Sequence, residues 1–122
     1  MSAYVPVGWP ARVRPPGSPD WEDSAVGWLL DAVPPEYRMY GVLRRYPLAL
    51  ARMARLHVHA EIEAARQGYR TANVDLKDRL PPHAVEAVLD AYRREGPRLV
   101  QLEKSITLVE QALLGESFTP RL

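Results

Sequence analysis

The sequence predicts an all-α protein whose main element is a long antiparallel helical hairpin. Three observations predict this fold. No proline occurs from residue 48 to residue 80, apolar residues recur there at alternating steps of three and four, and the same steps resume after two adjacent prolines. This spacing is typical of helices that bury one face. Two long helices joined by a short loop pack against each other in opposite directions.

The N-terminal third is predicted to supply an arm and a shorter helix. Prolines at positions 6, 10, 15 and 16 predict that residues 1–17 are extended, with Trp9 anchoring this arm against the helical body. A helix is predicted over about 19–33, because Ser18 suits the N-cap and Pro19 the first helical position. Its buried face is predicted from helical spacing to comprise Trp21, Ala25, Trp28 and Ala32.

The two long helices are predicted over about 47–79 and 82–114, with residues 116–122 as a tail. Gly96 and Pro97 lie inside the second helix, and the apolar phase is the same on both sides of them. One kinked helix is therefore expected, with Gly96 allowing the two backbones to approach closely. The expected facing pairs are Leu76 with Val85, Tyr69 with Tyr92, Ala65 with Gly96, and Ile62 with Leu99.

Composition narrows the classes of function. The chain has 122 residues, a net charge of +1 and no cysteine, which excludes thiol chemistry, zinc fingers and iron–sulfur clusters. No stretch approaches the roughly 20 apolar residues of a transmembrane helix, and the N-terminus lacks a secretion signal. We therefore expect one cytoplasmic domain over residues 1–122 without a membrane contact. No phosphate-binding glycine loop or nucleophile motif occurs, so a non-enzymatic protein without a cofactor is expected.

Alternating histidines and glutamates at positions 57–63 could indicate a metal site. Successive residues of a helix turn by about 100°, so His57 could share an ion with Glu61, and His59 with Glu63. Each pair offers two ligands, whereas a stable site needs about four. The pattern favours exposed pairs that support the helix, with His57 and Glu61 as the candidate metal ligands.

A run of arginines between positions 37 and 60 is a candidate polyanion-binding segment. It contains no acidic residue and is interleaved with tyrosines, and arginine beside aromatic rings can hold phosphates and stack on bases. The acidic helix before it could neutralise this charge, and a solvated face is the ordinary explanation. The candidate residues are Arg38, Arg44, Arg45, Arg52 and Arg55.

Glu95 is the one acidic residue on a core-facing position of the second long helix. Beside Tyr69 and Tyr92, a buried carboxylate could have a raised pKa and serve as an acid or as part of a small-ligand site. The structural alternative is that Glu95 pairs with an arginine such as Arg66 or fixes the register of the helices.

The leading functional hypothesis is a non-enzymatic interaction, scaffold or regulatory protein, homodimeric through its hairpin. The short first helix can cover only part of the hairpin, so an apolar patch should remain for a second copy or an unknown protein partner. The alternatives are a nucleic-acid-associated regulatory protein and a small-ligand or metal-binding bundle. The expected interface residues lie near one end of the hairpin: Leu48, Leu50, Met53, Leu56, Leu108, Val109, Ala112 and Leu113.

Overall fold

The computed structural model describes residues 4–119, and every regular element in this range is a helix. The all-α prediction is confirmed. Helix α1 spans Trp21–Asp31, a 3₁₀-helix spans Pro35–Met39, and helix α2 spans Gly41–Arg45. The two long helices follow as α3, Pro47–Leu76, and α4, Pro82–Leu113. Both long helices begin at a proline. Proline suits the first turn because an amide hydrogen at that position would have no acceptor within the helix, so no hydrogen bond is lost.

Helix α1 differs from its prediction at both ends and in its buried face. It begins at Trp21 because the Ser18 hydroxyl donates to the Pro15 carbonyl instead of capping the helix, and Asp20 takes a left-handed conformation at the cap position. The predicted face is confirmed in part: Ala25 is buried, and Trp21, Trp28 and Ala32 are partly buried and pack against the core. The buried residues of α1 are Ala25, Val26, Leu29 and Leu30, and all four belong to the hydrophobic core.

Helices α3 and α4 pack against each other in opposite directions. The guanidinium of Arg55 contacts Glu110, and His59 contacts Glu103. Farther along α3, Gly68 lies against Tyr92. Residues later in α3 thus contact residues earlier in α4, so the two helices are antiparallel. Helix α4 is continuous through Pro97, as expected from the unbroken apolar phase.

We call residues 47–62 and 99–113 the proximal half of the hairpin, and residues 63–98 the distal half. Helix α1 and the segment 35–45 pack on α3 in the proximal half, and the arm packs there on α4. The core lies where these elements meet. Its largest fully enclosed side chains are Leu29, Leu30, Leu43, Leu50, Val58, Leu99, Ile106 and Val109.

The arm is a series of turns, and the extended prediction for it is wrong over the described residues. The amides of Trp9, Val13 and Ser18 each donate to the carbonyl three residues before, because these amides remain available between the prolines. The Ser105 hydroxyl of α4 donates to the Gly8 carbonyl at 2.7 Å. The Trp9 indole donates to the Val13 carbonyl at 2.8 Å, and Val13 is buried. The arm is therefore fixed to α4.

Candidate protein-interaction site

An open apolar groove of about 380 Å³ runs between α3 and α4, from Ile62 and Val100 at the boundary of the two halves into the distal half. We call it the distal groove. All of its lining residues belong to α3 or α4, so no other element between residues 4 and 119 lines it. The lining residues are Ile62, Ala65, Arg66, Tyr69, Arg70, Tyr92, Arg93, Gly96, Pro97 and Val100.

Two glycines give the distal groove its shape. A Cβ atom at Gly68 would lie 2.4 Å from ring atoms of Tyr92, so the glycine is what allows that ring to lie against α3. A Cβ atom at Gly96 would have no side-chain neighbour within 4 Å, because this glycine opens onto the groove. The predicted close approach of Ala65 and Gly96 is therefore wrong, and the close approach occurs at Gly68.

The rim of the distal groove carries charges of both signs. Arg66 contacts Glu63 at 2.7 Å on α3. Arg93 contacts Glu86 and Asp90 on α4, each at 3.0 Å, and its guanidinium lies 5.6 Å from the centre of the Tyr69 ring. The hydrogen bond that Arg93 donates to Glu86, with smaller contributions from those to Tyr69 and Asp90, raises the pKa of Arg93, which stays charged. Each of these ion pairs lies within one helix.

Glu95 lies outside the enclosed core, contrary to the sequence expectation. Its side chain is 44% exposed and accepts two hydrogen bonds from Arg98, one turn away. These hydrogen bonds lower the pKa of Glu95, so the carboxylate is stabilised in its charged form. The expected partner Arg66 is engaged by Glu63. The expected raised pKa of Glu95 is therefore wrong, whereas its pairing with an arginine follows the structural alternative with Arg98 in place of Arg66.

The two histidines of α3 have different partners. His57 Nε2 lies 3.1 Å from Glu61 Oε1, as its spacing predicts, and its ring packs edge-on against Tyr37. His59 Nδ1 lies 2.9 Å from Glu103 Oε2 on α4, so the predicted pairing of His59 within α3 is wrong. Between residues 4 and 119, no three histidine, aspartate or glutamate side chains converge closely enough to hold a metal ion.

The structure divides the predicted interface residues between the core and the surface. Leu50 and Val109 are completely enclosed in the core and Ala112 is buried, so none of them can form part of an exposed patch. Met53, Leu108 and Leu113 are half-buried, whereas Leu48 and Leu56 are exposed.

The predicted arginine cluster divides into two groups. Arg38 contacts Asp31 at 2.8 Å and Arg55 contacts Glu110 at 2.9 Å, so both are neutralised within the chain. The remaining three candidates, Arg44, Arg45 and Arg52, are exposed and take part in no ion pair within residues 4–119.

Comparison with known proteins assigns no family: no protein-family model, curated protein or solved structure matches this chain. Among the helices between residues 4 and 119, none combines the length and apolar character required to span a membrane.

Proposed function

We propose that this chain is a non-enzymatic helical interaction protein that forms a homodimer through the distal groove. The observation that carries this proposal is the contrast between the two halves of the hairpin. Helix α1, the arm and the segment 35–45 pack on the proximal half, where the remaining open groove between α3 and α4 is lined mainly by charged and polar side chains such as Arg55, Glu103 and Glu110. The distal groove has an apolar lining, and no described element outside α3 and α4 covers it. A concave apolar surface with aromatic and arginine side chains has the composition of a protein interface.

A second copy suits the distal groove because the rim charges are self-complementary. The rim combines Arg66 and Arg93 with Glu63, Glu86 and Asp90. In a two-fold arrangement the same patch of each copy faces the other, so a rim of one sign would repel itself. A mixed rim allows arginines of one copy to approach carboxylates of the other. Tyr69 and Tyr92 would then supply the central apolar contacts.

The oligomeric state tests this proposal directly. Light scattering coupled to size exclusion, over a range of concentrations, should give a mass twice the 13.8 kDa of one chain. Gly96→Arg should shift the protein to the monomer, because the new side chain fills the distal groove and adds positive charge beside Arg66 and Arg93. Open space around Gly96 accommodates the new side chain, and circular dichroism with urea denaturation must show that the variant is folded, because Pro97 disfavours the helical conformation for a preceding residue with a Cβ.

Gly27→Arg is the matched control. Gly27 is an exposed helical glycine of α1 with open space around it, and the substitution adds the same side chain and charge away from the groove. It should leave the dimer intact. A strict monomer at high concentration contradicts the proposal, and so does a dimer that Gly96→Arg leaves unchanged. A monomer stabilised against heat by small amphipathic ligands would instead support the small-ligand alternative. The cytoplasmic location stays a prediction, which cell fractionation can check.

A further inference from the structure

A second exposed surface lies at the opposite end of the hairpin from the distal groove. We call it the connector surface, and it consists of Met39, Tyr40, Val42, Arg44, Arg45 and Tyr46. Met39 is 83% exposed, and Tyr40, Val42 and Tyr46 are each more than half exposed. Leu43, on the opposite side of α2, is almost completely buried and fixes this short helix to the core. Because Leu43 holds α2 in this orientation, the side chains of the connector surface are exposed to solvent.

The connector surface is positively charged. No acidic residue occurs between positions 37 and 60. Asp31, the carboxylate that reaches this region from α1, is already bound by Arg12 and Arg38 at 2.7 and 2.8 Å. Arg44 and Arg45 take part in no ion pair among the described residues. Two cations thus lie beside exposed apolar side chains without a carboxylate from their own chain.

We propose that the connector surface binds an acidic segment of another protein that also carries apolar side chains. Tyrosine, methionine and arginine are the residue types enriched at protein interfaces, and all three occur here. Carboxylates of the partner would pair with Arg44 and Arg45, while its apolar side chains would cover Met39 and Val42. This inference does not depend on the proposed dimer, because the two surfaces lie at opposite ends of the hairpin.

The composition of the connector surface favours a protein over two other anionic partners. Single-stranded nucleic acid could stack its bases on Tyr40 and Tyr46, but it would leave the exposed apolar side chains of Met39 and Val42 uncovered, whereas apolar side chains of a protein segment would cover them. Clusters that bind anionic lipid typically contain four to eight basic residues, and the connector surface has two.

Selection from a displayed library of random peptides tests the chemistry of the partner without assuming its identity. The wild-type chain should enrich peptides that combine aspartate or glutamate with aliphatic or aromatic residues. The affinity of the enriched peptides for the chain is measured by fluorescence anisotropy. It should fall at least about tenfold in the Arg44→Glu, Arg45→Glu double variant, because the new carboxylates repel those of the peptide. Met39→Ala should weaken the same peptides by a smaller factor, through loss of its apolar contact.

Lys77→Glu with Arg79→Glu is the matched control, because it makes the same change in net charge in the exposed turn between α3 and α4. It should leave peptide affinity unchanged, as should Gly96→Arg. Circular dichroism must show that each variant is folded. Enrichment of peptides without acidic residues would overturn the proposal, as would acidic peptides that bind the Arg44→Glu, Arg45→Glu variant undiminished. Binding of single-stranded DNA or anionic vesicles through Arg44 and Arg45, without peptide binding, would also overturn it.

Discussion

The proximal and distal halves of the hairpin share one sequence pattern but have different surroundings. The apolar steps of three and four continue through both halves of α3 and α4. Helix α1 has 11 residues and is about 16 Å long, whereas α3 has 30 residues and is about 45 Å long, so α1 cannot cover both halves. The comparison teaches that helical periodicity identifies which face of a helix is apolar, but not whether another element lies on it.

The largest effect is expected in the proximal core. Leu50→Ala should lower the free energy of unfolding by about 3–5 kcal/mol, because Leu50 has no exposed surface and its neighbours cannot collapse into the cavity. Leu48→Ala, two residues away on an exposed face, is the control and should cost less than about 1 kcal/mol. Urea denaturation measures both. Equal losses for the two leucines would show that the proximal half is not the enclosed half.

Substitutions of Gly68 and Gly96 in the distal half should change the free energy of unfolding by less than Leu50→Ala does. The sign of the Gly68→Ala effect should depend on whether the Tyr92 ring is present. Gly68→Ala forces the Tyr92 ring out of its position against α3, and we expect a net loss of about 1 kcal/mol despite the better helix propensity of alanine. In a Tyr92→Ala background the same substitution should stabilise the chain, because the ring is gone. At Gly96 the gain in helix propensity is opposed by Pro97, which disfavours the helical conformation for a preceding residue with a Cβ, so Gly96→Ala should change stability by less than about 1 kcal/mol and by the same amount in both backgrounds.

Thermal or urea unfolding of these variants completes a double-mutant cycle. If Gly68→Ala stabilises the wild-type chain as much as it stabilises the Tyr92→Ala chain, Gly68 and Tyr92 do not shape the distal groove.

The sequence predicted the fold class and the long helices because their signals are local. Pro47 and Pro82 mark the starts of α3 and α4, and the structure begins both helices at those residues. The facing of the two helices was nearly correct: Tyr92 was expected against Tyr69 and lies against Gly68. Helix starts and apolar spacing are properties of a single segment of the chain, so they can be predicted without knowledge of the tertiary contacts.

The candidate site was less predictable because it depends on contacts between segments distant in sequence. Leu50 and Val109 were expected on a surface, but α1 and the arm enclose that end of the hairpin. Glu95 was expected to be buried on its apolar stripe, but it is partly exposed and pairs with Arg98. The period of a helix cannot specify which partner reaches a given side chain, and the groove between α3 and α4 follows from two glycines whose surroundings no local pattern reveals.

The smallest expected effect concerns the ion pairs, which also differ between the two halves. In the proximal half Asp31 joins three segments, since it binds Arg12 of the arm and Arg38 of the 3₁₀-helix. In the distal half, pairs such as Arg66 with Glu63 join neighbours within one helix. Loss of the Asp31 charge should therefore loosen the arm, whereas loss of the Glu63 charge should have no effect beyond its own helix.

The pH dependence of this effect follows from the lowered pKa of Asp31. Hydrogen bonds from Arg12 and then Arg38 lower it in the folded chain, so the stabilising contribution is present above the carboxyl group's ordinary pKa and is lost as the pH falls below about 4. Asp31→Asn should increase amide exchange at Trp9 and Val13 at neutral pH, relative to intrinsic rates. The difference from wild type should disappear at low pH and shrink in high salt. Glu63→Gln is the control, and equal arm exchange in both variants would show that Asp31 does not hold the arm.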